Sequence, residues 1–277
     1  MTGVGEEALT GGPLEVHARW EGDRAVRLAW APAGYRSLDR RTGPNREERF
    51  GSLPMSVSLR CAGAVARALI ESLLGLPTVL DVVSSIQSVV VLLRADAPCD
   101  PAFLTRVRGI AQDALWDLGS RAWEGDPSLA GEGGDVEAGC LTIPVRYGGE
   151  DGPDLDTVAA WARITSTEVV RRHTSRVYVC FAVGFRPGMP FLGPVDPGIA
   201  APRLDRPRLE VPAGSVALAG EQTGVYPTPS SGGWRLLGRT SRTLFDVTGA
   251  DADGACLVHP GDRVRFQVDP EGDVLPW

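Results

Sequence analysis

Glycine and proline set the strongest limit on what this chain can fold into. From Gly184 onward they recur at short intervals, and the apolar runs between them are brief. They read Gly-Ser-Val-Ala-Leu-Ala-Gly at 214–220, Thr-Gly-Val-Tyr-Pro at 223–227 and Trp-Arg-Leu-Leu-Gly at 234–238. Thr-Leu-Phe-Asp-Val at 243–247 and Arg-Val-Arg-Phe-Gln-Val at 263–268 complete the series. Proline removes a backbone donor and glycine loses the most entropy on ordering, so neither supports a long helix here. Short strands joined by tight turns are what remain, and the spacing predicts a small β-barrel.

The first half reads differently. Residues 1–17 are rich in glycine and glutamate and are expected to be loose. Asp23 to Trp30 alternates as a strand. Ser58 to Leu74 places Leu59, Val65, Ala66, Leu69 and Leu73 on one helical face, with Gly75 as a C-cap. Thr78 to Arg94 holds two β-branched runs separated by Ser84-Ser-Ile-Gln87. Pro101 to Gly119 is a second amphipathic helix, with Leu104, Val107, Ile110, Ala111, Ala114, Leu115 and Leu118 at 3–4 spacing. This order predicts a small α/β layer with both helices on one face. Residues 31–54, with Arg40, Arg41, Arg46 and Arg49, read as an inserted surface loop, or alternatively as an anion-binding flap.

Residues 120–139 have no apolar period and read as a linker. The expected organisation is therefore α+β: a small α/β domain over 18–119, the linker, and a barrel domain over 140–270. Within the latter, Leu141 to Arg146 and Arg176 to Val183 are strands. Asp154 to Arg163 is a short helix, and Thr165-Ser-Thr-Glu168 is a capping box opening a helix that runs to about His173.

Composition excludes several chemistries. All 28 cationic side chains are arginine, so a lysine-bearing phosphate loop, a Schiff base and a biotinyl or lipoyl carrier are out of reach. The net charge of −7 leaves no basic stripe for nucleic acid. The longest apolar run, Ile86 to Leu93, is too short to span a bilayer, and the first residues lack a signal-peptide pattern. A cytoplasmic protein is expected. Five scattered cysteines without a CxxC pair favour free thiols. Three histidines at no ligand spacing argue against a metal.

The densest motif is Gly184-Phe-Arg-Pro-Gly-Met-Pro-Phe-Leu-Gly193. It reads either as a rigid loop presenting backbone N–H groups beside an apolar wall, or as a tight crossover within the barrel. Arg203 and Arg208 offer planar forks for carboxylate or phosphate, or are merely solvated. Gln222 and Tyr226 suit orientation of an amide or carboxylate. Trp234 suits a pocket wall or the core. His173, at a helix end, is a general acid/base or a cap. Ser215 is not flanked as an elbow nucleophile would be.

The second half resembles the 5-oxoprolinase B-subunit family, also called allophanate hydrolase subunit 1 or KipI. The carrying residues are Ile143-Pro-Val-Arg-Tyr-Gly-Gly149, Gly152-Pro-Asp-Leu155, His173, Gly184-Phe-Arg-Pro-Gly188, Pro202-Arg203, Pro207-Arg208, Val211-Pro-Ala-Gly-Ser-Val216, Gln222-Thr-Gly224, Tyr226-Pro227, Gly232-Gly-Trp-Arg235, Gly238-Arg-Thr240, Phe245-Asp246 and Pro260-Gly-Asp-Arg-Val-Arg-Phe266. Departures from the family pattern include Met189 in place of an aromatic residue, Gly193-Pro-Val-Asp196, Ser231, Ser241 and Ile86-Gln-Ser88.

The resemblance implies a cyclophilin-like barrel and a subunit of an ATP-dependent assembly that opens a small cyclic amide. A homologous C-type subunit is the implied partner, with ATP bound by partners and no cofactor in this chain. It implies catalytic parts for His173, Arg203, Arg208, Gln222 and Tyr226. Substrate contacts are implied for Phe185, Arg186, Pro187, Gly188, Met189, Phe191, Ser215, Thr223, Trp234 and Arg239. The loop from Phe185 to Pro190 would supply backbone donors to an oxyanion. Two alternatives stand beside it: a stand-alone biosynthetic enzyme forming rings, and a non-catalytic regulator like the family's kinase inhibitor.

Overall fold

A computed structural model describes residues 14–20, 24–32, 55–85, 88–97, 100–123, 139–248 and 255–269. The chain divides into two compact units, one of residues 1–58 and 67–126, the other of residues 59–66 and 127–277.

The first unit carries an antiparallel sheet of β1 (Leu14–Trp20), β2 (Ala25–Pro32), β3 (Val79–Ser84) and β4 (Ser88–Leu93), in the order β1-β2-β4-β3. The unit also holds α2 (Pro101–Trp123) and, apart from residues 59–66, α1 (Met55–Leu74). The β-branched runs make strands because their side chains fit a half-buried pleat. Val26, Leu28, Val89 and Val91 are buried, as are Leu69 and Leu73 of α1 and Phe103, Val107 and Ala111 of α2. Asp100 Oδ1 accepts the Phe103 N–H at 2.7 Å and caps α2, with Pro101 in the first turn, where its missing donor costs nothing.

Two expectations shift. The expected loose segment gives up Leu14 to His17 to β1, because that strand pairs with β2 along its whole length. The expected linker gives up its first residues to α2, which runs on to Trp123. Residues 124–138 of that linker and residues 33–54 of the expected insertion lie outside the described residues.

The second unit is a closed barrel of β5 (Leu141–Tyr147), β6 (Val177–Val183), β7 (Pro190–Gly193), β9 (Ser215–Ala219), β10 (Gln222–Val225), β12 (Arg235–Arg239) and β13 (Arg263–Val268). Around the ring the order is β10-β7-β6-β13-β5-β12-β9, and closure by β9 against β10 removes the free edges. Only β13 and β5 run parallel among these pairs, with Phe266 opposite Ile143. A two-stranded ribbon, β8 (Arg208–Val211) with β11 (Ser230–Gly232), lies outside the ring. The run at 243–247 does not make the expected strand. The ring is already closed, and Phe245 keeps a single bridge to Cys256.

Two short helices join the barrel core, α3 (Leu155–Ala162) through Val158 and Ala159, and α4 (Ser166–Thr174) through Val169 and Val170. Thr165 Oγ1 accepts the Glu168 N–H at 3.1 Å and caps α4. The Glu168 carboxylate does not complete the box. It takes the guanidiniums of Arg171 and Arg172 at 2.6 and 2.8 Å, since charge-assisted bonds outcompete a neutral backbone donor.

All seven ring strands feed the barrel interior, among them Ile143, Tyr178, Leu192, Val216, Leu218, Val225, Leu237 and Phe266. A second core lies on the outer face, made of Met189, Val211, Ala217, Ala219, Tyr226, Trp234 and Leu236. β9 therefore has a core on each side: Val216 and Leu218 face in, Ala217 and Ala219 face out. Small residues on the outward side let bulky rings lie against the strand.

Candidate functional site

The outer core is built from the turn-rich segments. Met189 and Phe191 come from the end of the Gly/Pro loop, Tyr226 follows β10, and Trp234 precedes β12. Phe191 meets Trp234 edge to face at 5.6 Å and Phe181 at 6.3 Å, both favoured aromatic geometries. Gly224 makes the approach possible. A Cβ there would lie 3.3 Å from the Trp234 ring and 2.5 Å from the Pro190 carbonyl oxygen. Gln222 lies two residues before Gly224, so strand alternation gives it the same outward side, and it is buried.

Arg203 sits above this wall, its guanidinium 5.9 Å from the centre of the Trp234 ring. It is exposed, and no carboxylate lies within ion-pair distance of it among the described residues. Tyr226 is almost fully buried. Burial raises its phenol above the ordinary value of 10.0, while the Trp234 backbone N–H and the charges of Arg203 and Arg208 pull it back. A hydroxyl of that kind stays protonated at neutral pH and is a hydrogen-bond donor poised beside positive charge.

Arg208 behaves otherwise than expected from its residue type alone. The carboxylate it holds is the chain's own Asp154, with Nη2 donating to Oδ1 at 2.8 Å. Asp154 Oδ2 accepts the Leu236 N–H at 2.7 Å. Asp154 stands at the N-cap position of α3 yet makes no side-chain cap. An aspartate before a helix reads as a cap, and nothing in the sequence marks this one as the anchor of a distant arginine.

The remaining expected residues fall elsewhere. His173 is fully buried in the barrel interior, stacked on Phe266 at 4.7 Å. Its Nε2 lies 2.9 Å from Thr223 Oγ1 and its Nδ1 2.7 Å from the Tyr147 hydroxyl. Thr223 gives its single proton to Ala217 O at 2.9 Å, so Nε2–H donates to Thr223 and Tyr147 donates to Nδ1. Burial holds the imidazole neutral, down to a pKa of about 3. His173, expected as an acid/base or a cap, is thus a hydrogen-bonded core group, and Thr223, expected as a substrate contact, is its partner.

In the Gly/Pro loop, Arg186 N–H donates to Gly184 O at 2.8 Å and Met189 N–H to Arg186 O at 3.0 Å. The Gly188 N–H lies beside the Cys256 sulfur. Three of the expected oxyanion donors, the N–H groups of Arg186, Gly188 and Met189, are thus engaged within the fold. Phe185, with φ +65°, forms the exposed tip with Arg186 and Pro187. Ser215 is buried at the head of β9, its carbonyl accepting the Tyr226 N–H at 2.9 Å. Arg239 donates to Ala213 O at 2.8 Å, away from the aromatic wall. No cluster of metal ligands and no helix long and apolar enough to cross a membrane occurs among the described residues.

The profile of the carboxyltransferase domain, subdomain C and D, matches residues 52–256. More particularly, the chain belongs to the 5-oxoprolinase B-subunit family. The B subunit of 5-oxoprolinase from Escherichia coli O157:H7 is 40% identical over 204 residues, covering 74% of this chain and 84% of that one. Its Bacillus subtilis (strain 168) namesake is 46% identical over 139 residues, covering 50% and 57%.

Among solved structures, TTHA0988 superposes with a TM-score of 0.59 at 34% identity, covering 82% of this chain. The chain spans 40% of the length of TTHA0988. Kluyveromyces lactis urea carboxylase shares the fold, with a TM-score of 0.57 at 17% identity over 92% of this chain and 22% of that one.

Proposed function

We propose that this chain is the B-type component of an ATP-dependent assembly that opens a small cyclic amide bearing a carboxylate, with 5-oxoproline as the first substrate to test. A homologous C-type subunit is its partner, and ATP is bound by partner subunits. Support comes from relatives named as B subunits of 5-oxoprolinase, at 40% and 46% identity. The observation that carries the reading is Arg203, a guanidinium held over Trp234 beside the Tyr226 hydroxyl, with no carboxylate partner among the described residues.

In this reading the aromatic wall of Phe191 and Trp234 takes the flat face of the ring and keeps water from it. Arg203 takes the substrate carboxylate in a charge-assisted bond. Opening an amide places negative charge on its carbonyl oxygen, which a fixed donor stabilises more in the transition state than in the ground state. Tyr226 is that donor, and the buried Gln222 amide orients the ring nitrogen. The Gly/Pro loop gives the wall its shape rather than its donors.

The test is co-expression with the C-type and A-type subunits of the same organism, followed by native mass analysis and a 5-oxoproline assay. A stoichiometric complex with ATP-dependent ring opening is the expected result. A chain that binds neither of them, with no turnover when all three are mixed, would overturn the reading.

A further inference from the structure

Among the described residues, Asp154 is the most buried acidic side chain, and the proposed function leaves it without a part. It is 6% exposed, and its carboxylate and backbone N–H both meet distant segments, while only its carbonyl serves its own helix. Its backbone N–H donates to Leu236 O at 3.0 Å, and its Oδ2 accepts the Leu236 N–H, so it is locked to the outer-core strand β12. Its other oxygen holds Arg208 Nη2. Arg208 opens β8 and pairs with Gly232 of β11. At Gly232 the ribbon meets Tyr226: a Cβ added there would run into the phenol oxygen. The ion pair therefore ties the ribbon down at the point where it crosses the candidate donor.

The second terminal nitrogen of Arg208, Nη1, is buried and has no hydrogen-bond partner among the described residues. A guanidinium N–H without a partner is costly, and such orphans in native folds call for an explanation. Tyr226 feels the charge of Arg208, which places the guanidinium near the phenol.

We propose that Asp154 is a positioning residue: by gripping Nη2 it holds Arg208 against the ribbon so that Nη1 is kept as a donor for the ligand oxygen that Tyr226 also meets. The proposal rests on the 5-oxoprolinase reading for the identity of that ligand. Its first half, that Asp154 fixes Arg208 beside Tyr226, needs no substrate.

Titration of Tyr226 tests that half in the isolated protein. Fluorotyrosine labelling brings phenol titration toward neutral pH, and the Tyr226→Phe variant assigns the 19F signal. Arg208→Met removes a cation, so the Tyr226 pKa rises. Asp154→Asn separates the alternatives by sign. If Asp154 positions Arg208, its loss lets the guanidinium leave, and the Tyr226 pKa rises as in Arg208→Met. If Arg208 stays without help, a negative charge has been removed beside it and the pKa falls or holds, which overturns the proposal. Asp154→Glu, which keeps the charge, is expected to restore most of the wild-type value.

The second half is read in the assembled complex. Asp154→Asn is expected to raise KM for 5-oxoproline about tenfold, with kcat changing less. An unchanged KM would overturn the ligand role of Nη1. Should Asp154→Asn not fold, the double variant Asp154→Leu/Arg208→Met removes both charges together, which buried ion pairs commonly tolerate. KM is expected to stay high in it, and a wild-type KM would overturn the proposal. An inactive wild-type complex with the expected tyrosine shifts would count against the 5-oxoprolinase reading and not against the positioning of Arg208.

Discussion

The two cores that share β9 handle polar groups in opposite ways. Inside the barrel, Tyr147, His173, Thr223 and the Ala217 carbonyl form a closed chain in which each proton has one acceptor. On the outer face, Tyr226 lies beside two guanidiniums. Among the described residues, one of these has no carboxylate partner and the other keeps a nitrogen without a hydrogen-bond partner. The inner chain is complete without any ligand, and so it reports on folding. The outer set has donors left over, and in the proposed reading it reports on binding. A buried titratable group is not by itself a functional one.

The sharpest way to break this contrast is to remove the imidazole. His173→Ala deletes a ring stacked on Phe266 and leaves the Tyr147 hydroxyl without its acceptor in an apolar interior. A loss of about 3–5 kcal/mol in denaturant unfolding is expected. Next in size is Gly232→Ala, which drives a methyl group into the Tyr226 oxygen and costs about 1–3 kcal/mol by the same measurement.

Acid sharpens the inner half of the comparison. His173 has a folded pKa of about 3 against an ordinary value of 6.5. The imidazole is therefore neutral when folded and takes up a proton on unfolding below 6.5. Its contribution is complete above that pH and is lost as pH falls toward 3, at about 1.4 kcal/mol per unit. Thermal melts between pH 7 and pH 4 are expected to show this slope, and His173→Gln is expected to flatten it. The smallest effect on stability belongs to the outer face: Arg203→Met should change it by less than about 0.5 kcal/mol.

Much of the fold was legible from residue order. The Gly/Pro punctuation pointed to the barrel, and the β-branched pairs and periodic faces pointed to the strands and helices of the first unit. What was not legible has physical causes. β9 and β10 are buried on both sides, so they lack the alternation that assigns one face to the core. His173 read as an acid/base or a helix cap because spacing alone does not reveal that α4 turns it into the barrel. Arg203, Tyr226, Phe191 and Trp234 were singled out by type and do assemble on one face. Arg208 was singled out for a ligand carboxylate, while its partner Asp154 read only as the start of a helix. An ion pair across 54 positions leaves no local signature.

The most direct test sets one variant from each core side by side in the assembled complex, Arg203→Met and His173→Gln, with Tm and KM for 5-oxoproline measured for both. The expected result is a KM raised roughly 10–100-fold with an unchanged Tm for Arg203→Met, and a lowered Tm with an unchanged KM for His173→Gln. A KM that moves with His173 and not with Arg203 would contradict the assignment of binding to the outer face.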